Sequence, residues 1–539
     1  MERSSSSSTN NNINTTEGDN VNIISVRMMI IISVVVTTVT SVVLFVVYKL
    51  RPSPFQQRRR PPKTFAFFHP YASGGGGGER VLWKMIQFLQ QTQQQQQTQQ
   101  TQQQQQQQND SIMQQSKNSL SNETMEIVIY TIDPPSTKEY ELRNDAEKRF
   151  DVHIPNPIRL VSLESHKGWL QSKPFLSLVV ESYGTMKLAQ HALQEEPKPD
   201  VFCDTTGCAF TFATVRWMCP TTTIMAYVHY PTISTDMMLW EWKKHDDDDN
   251  NTSSSSSPSS LLLLLLSRRV KTIVKLIYYW FFAICYGLVG SMADLVMVNS
   301  TWTYNHIASL WRFSSSNPIR IVYPPCRVPD TLDHSFRSTK RKRIIVSIGQ
   351  FRPEKNHKLQ LEAMSRLLTN HPELRSDCDN PSDPVQLVLI GSCRNEADQT
   401  RLQELKHLAK QLDLQDHHIV FRVNPPYTEL QAAMTDASVG IHTMRQEHFG
   451  IGIVEMMAAG LLVIAHDSGG PKSDIVQPGV SGFLATTAEE YADAMYQALT
   501  MDKEADAQMR TNAQQSAIRF SDTEFDKNLD LALKTIPWS

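Results

Sequence analysis

Cysteine is scarce in this 539-residue chain: there are seven, an odd number spread from Cys203 to Cys393, and none forms a CxxC pair. That excludes a disulfide framework and a zinc pattern, and it predicts buried, reduced thiols in a reducing compartment. Charge of one sign is also missing, because 52 basic and 55 acidic side chains leave a formal net charge of -3. A chain with no basic excess argues against broad electrostatic binding to nucleic acid. Neither GxGxxG nor a Walker loop occurs, since no Gly-Lys-Ser/Thr follows the glycine-rich stretch. No DxD-like divalent site stands among the motifs, and the acidic run Asp246–Asp249 lies inside a polar insert, where it reads as solvated charge. Collagen, a coiled coil and a disulfide-rich secreted fold are excluded. The length suits two to four domains of roughly 150 residues and is ample for large cores.

What is present begins with a polar N-terminus over residues 1–27, followed by Met28–Tyr48, which carries no charge. As a helix those residues span about 31 Å, enough for a hydrocarbon core of ~30 Å, and they predict a membrane anchor. Lys49, Arg51, Arg58, Arg59, Arg60 and Lys63 follow it, against only Arg3 and Arg27 before it. The bias predicts a lumenal N-terminus and a cytosolic remainder. Two low-complexity inserts, within residues 90–120 and 245–260, are expected to be surface loops, because neither can bury apolar surface. A second apolar stretch covers residues 261–293, six leucines and then an uncharged run from Leu276 to Ala293, with Arg268, Arg269, Lys271 and Lys275 between them. A buried core helix, a full span and a helix lying in the membrane interface all fit it; the adjoining basic residues favour the interface.

Between these features strand-like and helix-like runs alternate, the pattern of parallel α/β sheets. Strands are expected at 65–69, 127–131, 158–163, 201–204, 224–229 and 295–299, then at 344–348, 387–390, 419–423, 439–442 and 462–465. The polar segment 326–342 reads as a linker between a first domain over 62–325 and a second over 343–520, with a crossover helix in 521–539. Two doubly wound domains facing a cleft follow, with ligands expected at the carboxyl ends of the strands.

Three motifs sit at such ends. Gly74–Gly78 follows the first strand and opens a helix, which lets backbone N–H groups approach an anion. Gly349-Gln-Phe-Arg352-Pro-Glu-Lys355 pairs a guanidinium with an ammonium on one loop, a set suited to a diphosphate. Glu447 and Glu455 are separated by seven residues around Phe449-Gly450-Ile451; on a continuous helix they would lie about 80° apart and could share a cleft. A carboxylate at Glu455, in an otherwise apolar run, needs partners. The loop Ser468-Gly-Gly-Pro471 follows the next strand, and Asp204 ends an earlier strand with no role assigned.

Together these motifs resemble the family 4 retaining glycosyltransferases of the GT-B fold, over most of residues 62–520. FFHPYASGGGGGERVLW, CDTTGCAF (203–210), AYVHYPTIS (226–234), MVNSTWT (297–303) and VSIGQFRPEKNH resemble the branch that acts on dolichol-linked oligosaccharides. The resemblance implies GDP-mannose as donor, a dolichol-diphosphate-linked oligosaccharide as acceptor, α-1,2 transfer at the cytosolic face of the endoplasmic reticulum membrane, and no metal cofactor. It leaves room for association with other mannosyltransferases. By the same resemblance Gly349, Arg352 and Lys355 hold the diphosphate and Glu455 the ribose. Glu447, with the backbone of Phe449, Gly450 and Ile451, holds the mannose. His229 lines the cleft as a catalytic residue, and Gly75, Gly76, Gly77 and Gly78 form an acceptor or diphosphate loop. The two inserts depart from the family between its motifs. The residues alone leave open a GT-B transferase with another donor or acceptor, and a non-catalytic membrane scaffold.

Overall fold

The computed structural model describes residues 62–110, 125–170, 177–194, 198–234, 236, 258–311, 318–328, 341–375 and 384–536. The expected anchor at 28–48, most of the linker and most of the 245–260 insert lie outside these residues. The rest forms two parallel sheets. The first has seven strands: β1 (Thr64–Phe68), β2 (Glu126–Thr131), β3 (Arg159–Ser162), β4 (Val201–Asp204), β5 (Thr223–Val228), β6 (Leu295–Val298) and β7 (Ile319–Ile321), in the order β3-β2-β1-β4-β5-β6-β7. The second has six: β8 (Lys342–Ile348), β9 (Gln386–Gly391), β10 (Ile419–Val423), β11 (Ala437–His442), β12 (Leu462–His466) and β13 (Phe483–Ala485), ordered β10-β9-β8-β11-β12-β13.

Both sheets are covered on both faces, which is why their central strands read as unbroken apolar runs. In β1, Phe65 and Phe67 enter one core while Ala66 and Phe68 enter the other. In the second sheet Ile345 and Val346 divide in the same way. Winding reverses between β1 and β4 in the first domain and between β8 and β11 in the second. At such switch points, loops from adjacent strands diverge and leave a crevice.

The glutamine tract is not a loop. It continues the helix Gly77–Asp110 without a break. Val81, Leu82, Trp83, Met85 and Ile86 are buried and supply a docked nucleus, and glutamine propagates a helix well once one exists. Gln90 is itself buried and exchanges two hydrogen bonds with the Asn156 backbone, at 3.1 and 2.9 Å.

The apolar stretch after the second insert forms one helix, Pro258–Gly290. Phe282, Ala283, Tyr286 and Val289 seat it in the first-domain core, whereas Ile273, Val274 and Trp280 are exposed. Four cysteines, Cys203, Cys219, Cys285 and Cys326, are buried free thiols.

The final helix, Asp522–Leu533, follows the second domain but packs on the first. Phe525, Leu529, Ala532 and Ile536 join the cluster of Phe65, Phe67 and Trp83. Arg80 pairs with Asp522 at 2.9 Å, and Lys84 reaches Asp526 at 3.5 Å. Leu529 is fully buried, so Leu529→Ala should cost about 2–5 kcal/mol by transfer and cavity terms. Thermal unfolding of the variant should show a clear drop in Tm; an unchanged midpoint would mean that this helix is dispensable.

Candidate active site

β8 and β11 are hydrogen-bonded neighbours, Ile345 opposite Val439 and Val346 opposite Gly440. The loops leaving their carboxyl ends therefore start side by side. One carries Gly349 to Lys355 and the other His442 to Gly450. Lys355 Nζ lies 2.6 Å from Glu447 Oε2, and His442 Nε2 lies 3.1 Å from the same oxygen. Thr443 fixes the first loop by donating its hydroxyl to the carbonyls of Lys355 and Asn356 at 2.9 and 3.1 Å. Asn356 there takes a left-handed φ of 49°, which turns the chain into the helix His357–Asn370. Gly349 faces the methylenes of Lys355. Burial pushes the Glu447 carboxyl up, but the His442 hydrogen bond and the Lys355 charge outweigh it and hold the group far below the ordinary carboxylate range. Glu447 is an anion with a fixed orientation.

Arg352 does not join Lys355. Its guanidinium meets Glu354 on its own loop at 3.2 Å and is about a third exposed. The helical-wheel relation between Glu447 and Glu455 does not apply either, because the helix starts only at Ile451. Gly450, at φ 113°, breaks the path, so Glu447 lies in the preceding loop. Glu455 has different company. Burial raises its pKa, while Arg80 and Arg327 pull it back, and the Arg327 backbone N–H bonds to it. The Phe449 ring is buried against Tyr323 and Phe520, so only its backbone faces the loop. Behind this loop lies Ser468-Gly-Gly-Pro471. A Cβ on Gly469 would come within 2.3 Å of the Glu447 carbonyl, and one on Gly470 within 2.6 Å of the His448 carbonyl. Glycine is required for that approach.

From the first domain, the glycine loop reaches across. A Cβ on Gly77 would lie 2.5 Å from Ile451 Cδ1, and one on Gly78 would lie 3.5 Å from His229 Nε2. Gly76 N–H donates to Glu79 at 2.7 Å, and Gly75 is exposed beside Arg149. Glu79 lies 3.5 Å from His69, whose Nδ1 meets the Thr205 hydroxyl at 2.7 Å. His229 Nε2 is sealed from solvent without a hydrogen-bond partner. Burial first, then the neighbouring His69, push this imidazole down to about 3, with Glu79 working the other way. The glycine loop, His229, Ile451 and the loop carrying Glu447 thus meet across one interdomain crevice. Asp204 has a local role: one carboxylate oxygen accepts from the N–H groups of Thr206, Gly207 and Cys208 and holds the turn after β4.

Sequence reasoning passed over His442, His448, Asp236 and Asp474. His442 ends a strand beside β8, and that position was its signal. Each of the other three makes a contact across the domain boundary: His448 with Tyr230, Asp236 with Gln446 and Asp474 with Thr301. Among the described residues, no three His, Cys, Asp or Glu side chains form a metal-holding group.

The folded protein keeps His229 neutral down to about pH 3, whereas an unfolded chain protonates it near 6.5. Unfolding therefore takes up a proton below pH 6.5, and stability falls as pH drops from there towards 3. Thermal melts across that window should show a shallower acid loss for His229→Asn than for the parent protein; parallel curves would contradict a neutral, buried His229.

The chain resembles known proteins along most of its length. Residues 62–311 match the family described as ALG11 mannosyltransferase N-terminus, and residues 330–516 match glycosyl transferases group 1. The human protein named GDP-Man:Man(3)GlcNAc(2)-PP-Dol alpha-1,2-mannosyltransferase is 40% identical over 409 residues, covering 74% of this chain and 78% of that protein. The Dictyostelium discoideum protein of the same name is 38% identical over 403 residues, covering 74% and 75%. Among solved structures, Anabaena Alr3699/HepE in complex with UDP and glucose superposes with a TM-score of 0.53 at 15% identity, covering 88% of this chain and all of that one. Apo OtsA gives a TM-score of 0.56 at 10% identity, covering 88% and 99%. These two likenesses establish the GT-B fold. The relatives establish more: the chain belongs to the family of GDP-Man:Man(3)GlcNAc(2)-PP-Dol alpha-1,2-mannosyltransferases.

Proposed function

We propose that this protein transfers mannose from GDP-mannose, with retention and in α-1,2 linkage, onto the dolichol-diphosphate-linked Man3GlcNAc2 oligosaccharide, giving Man4 and then Man5. The observation that carries this reading is the part-buried Lys355–Glu447–His442 cluster at the second domain's switch point, facing His229 and the glycine loop. A fixed carboxylate beside an ammonium suits a sugar attached to a diphosphate: the carboxylate accepts from sugar hydroxyls, and the ammonium offsets the charge that develops on the leaving group. In this reading Arg352 leaves Glu354 and joins Lys355 on the diphosphate, and Glu455 takes the ribose. The backbone of Phe449, Gly450 and Ile451 supports the mannose. Cationic side chains supply the charge stabilisation, so the reaction needs no metal cofactor. With no nucleophile required, the acceptor hydroxyl attacks on the face that the diphosphate leaves, and the protein contributes mainly positioning.

We further propose that catalysis takes place at the cytosolic face of the endoplasmic reticulum membrane, with the helix Pro258–Gly290 lying against the lipid. Within it, Thr272–Gly290 is long and apolar enough to cross a membrane, yet its inner side is committed to the first-domain core. Its exposed Ile273, Val274 and Trp280 adjoin a layer that also exposes Val179, Tyr183 and Trp217. Lys187 and Lys275 lie over the Tyr183 and Tyr279 rings, an arrangement suited to anionic headgroups.

Purified full-length protein, given trimannosyl dolichol-diphosphate acceptor and labelled GDP-mannose or UDP-sugars, should transfer only from GDP-mannose and at an unchanged rate in EDTA. Lys355→Ala and Glu447→Ala should each reduce transfer by at least about 100-fold, the scale of removing a charge-stabilising group. Transfer from a UDP-sugar alone, a strict divalent-ion requirement, or near-normal rates in either variant would overturn the reading.

A further inference from the structure

The residues flanking Glu447 do not point where Glu447 points. Glu447 turns back into the second domain, towards Lys355 and His442. Its two neighbours cross to the first. Gln446 Nε2 donates to Asp236 Oδ2 at 2.9 Å, and the same oxygen lies 3.3 Å from His306 Nε2. The His448 ring stacks on Tyr230, with centroids 4.1 Å apart and planes at 30°, and faces Trp302 at 5.6 Å. Tyr230 and Trp302 are nearly parallel, 9° apart in plane, and Trp302 packs edge-on against His306. One tripeptide therefore carries a second-domain ligand in the middle and a first-domain contact on either side.

The tripeptide is also stiff. Gln446 sits at φ 56°, an uncommon conformation for a residue with a side chain, and its N–H is held by the Ser468 hydroxyl at 2.7 Å. Gly470 N–H donates to the Glu447 carbonyl at 2.8 Å, and the close approach of Gly469 and Gly470 leaves no slack behind it. Such a loop moves with the second domain as a body. Opening the crevice must therefore part the contacts of Gln446 and His448, while the Lys355–Glu447–His442 cluster stays whole.

We infer that Gln446 and His448 are positioning residues that clamp the second domain onto Asp236, Tyr230, Trp302 and His306, so that the loop holding the donor sugar is the same loop that closes the crevice. The inference rests on the reading of Glu447 as a ligand of that sugar. Donor capture and domain closure then share one rigid element: the donor is held by the second domain alone, and the acceptor reaches it only when the clamp is made.

The test uses the full chain in anionic lipid nanodiscs and three readouts. In the double variant Gln446→Ala/His448→Ala, kcat should fall by about tenfold or more, the scale of losing one aromatic pair and one hydrogen bond. GDP-mannose affinity by calorimetry should stay within about twofold of the parent, because its ligands remain on the second domain. Amide exchange across Thr301–Leu310 should accelerate, an outcome that depends on closure and not on which donor is used. His448→Phe, which keeps a flat ring, should recover most of the rate lost in His448→Ala. Unchanged exchange in the double variant, a loss of GDP-mannose affinity parallel to the loss of rate, or a His448→Phe variant as slow as His448→Ala would each overturn the inference. If the parent protein binds no GDP-mannose, the donor assignment fails while the exchange measurement still tests the clamp.

Discussion

The ion pair between Lys355 and Glu447, completed by His442, is the constraint on which the rest of the site depends. Burying a carboxylate is costly unless charge and hydrogen bonds compensate it. Here an ammonium and an imidazole meet one oxygen at 2.6 and 3.1 Å. The compensation is strong enough to keep Glu447 ionised despite burial. An anion fixed in this way is prepared to receive hydroxyl donors without reorganising, which is how a preorganised site lowers a barrier.

The pair exists because of topology. Lys355 and Glu447 are 92 residues apart, and they meet because β8 and β11 are adjacent strands with the winding reversal between them. The first domain repeats the device with β1 and β4, which place the glycine loop beside the turn held by Asp204. The crossover helix Asp522–Leu533, committed to the core of the first domain, ties the two halves into one unit. Arg80 illustrates the economy of the junction: it is buried, donates to the carbonyls of Phe150 and Pro325, pairs with Asp522 and lies close enough to lower the pKa of Glu455.

Much of this architecture is legible in the amino-acid sequence, for reasons specific to particular elements. Interior strands such as Val201–Asp204 and Leu462–His466 lie within sheets covered on both faces, so they announce themselves as apolar runs bounded by turns. The strands β7 and β13 were missed because each is an edge strand of three residues, too short to show a pattern. The glutamine tract was misread because composition reports the absence of a core, not the presence of a helix already nucleated by Val81 to Ile86. Glu447 and Glu455 were visible as a spaced pair, but their separate partners depend on the break at Gly450, and a helical projection assumes that such a break is absent. His448, Asp236 and Asp474 carry no local signal. Asp474, for example, accepts from the backbone and hydroxyl of Thr301 and from Tyr323, residues more than 150 positions earlier.

The arrangement as it stands has Lys355 bound to Glu447 and Arg352 bound to Glu354, so both cations are neutralised within the protein. A donor diphosphate must exchange at least one of these internal pairs for its own charge, and that exchange is the central claim. A structure of the full chain determined with GDP-mannose measures it directly. The account predicts Lys355 Nζ and the Arg352 guanidinium within hydrogen-bond distance of the phosphate oxygens and Glu447 against the mannose hydroxyls. A diphosphate bound elsewhere, with Arg352 and Lys355 still on their glutamates, would contradict it.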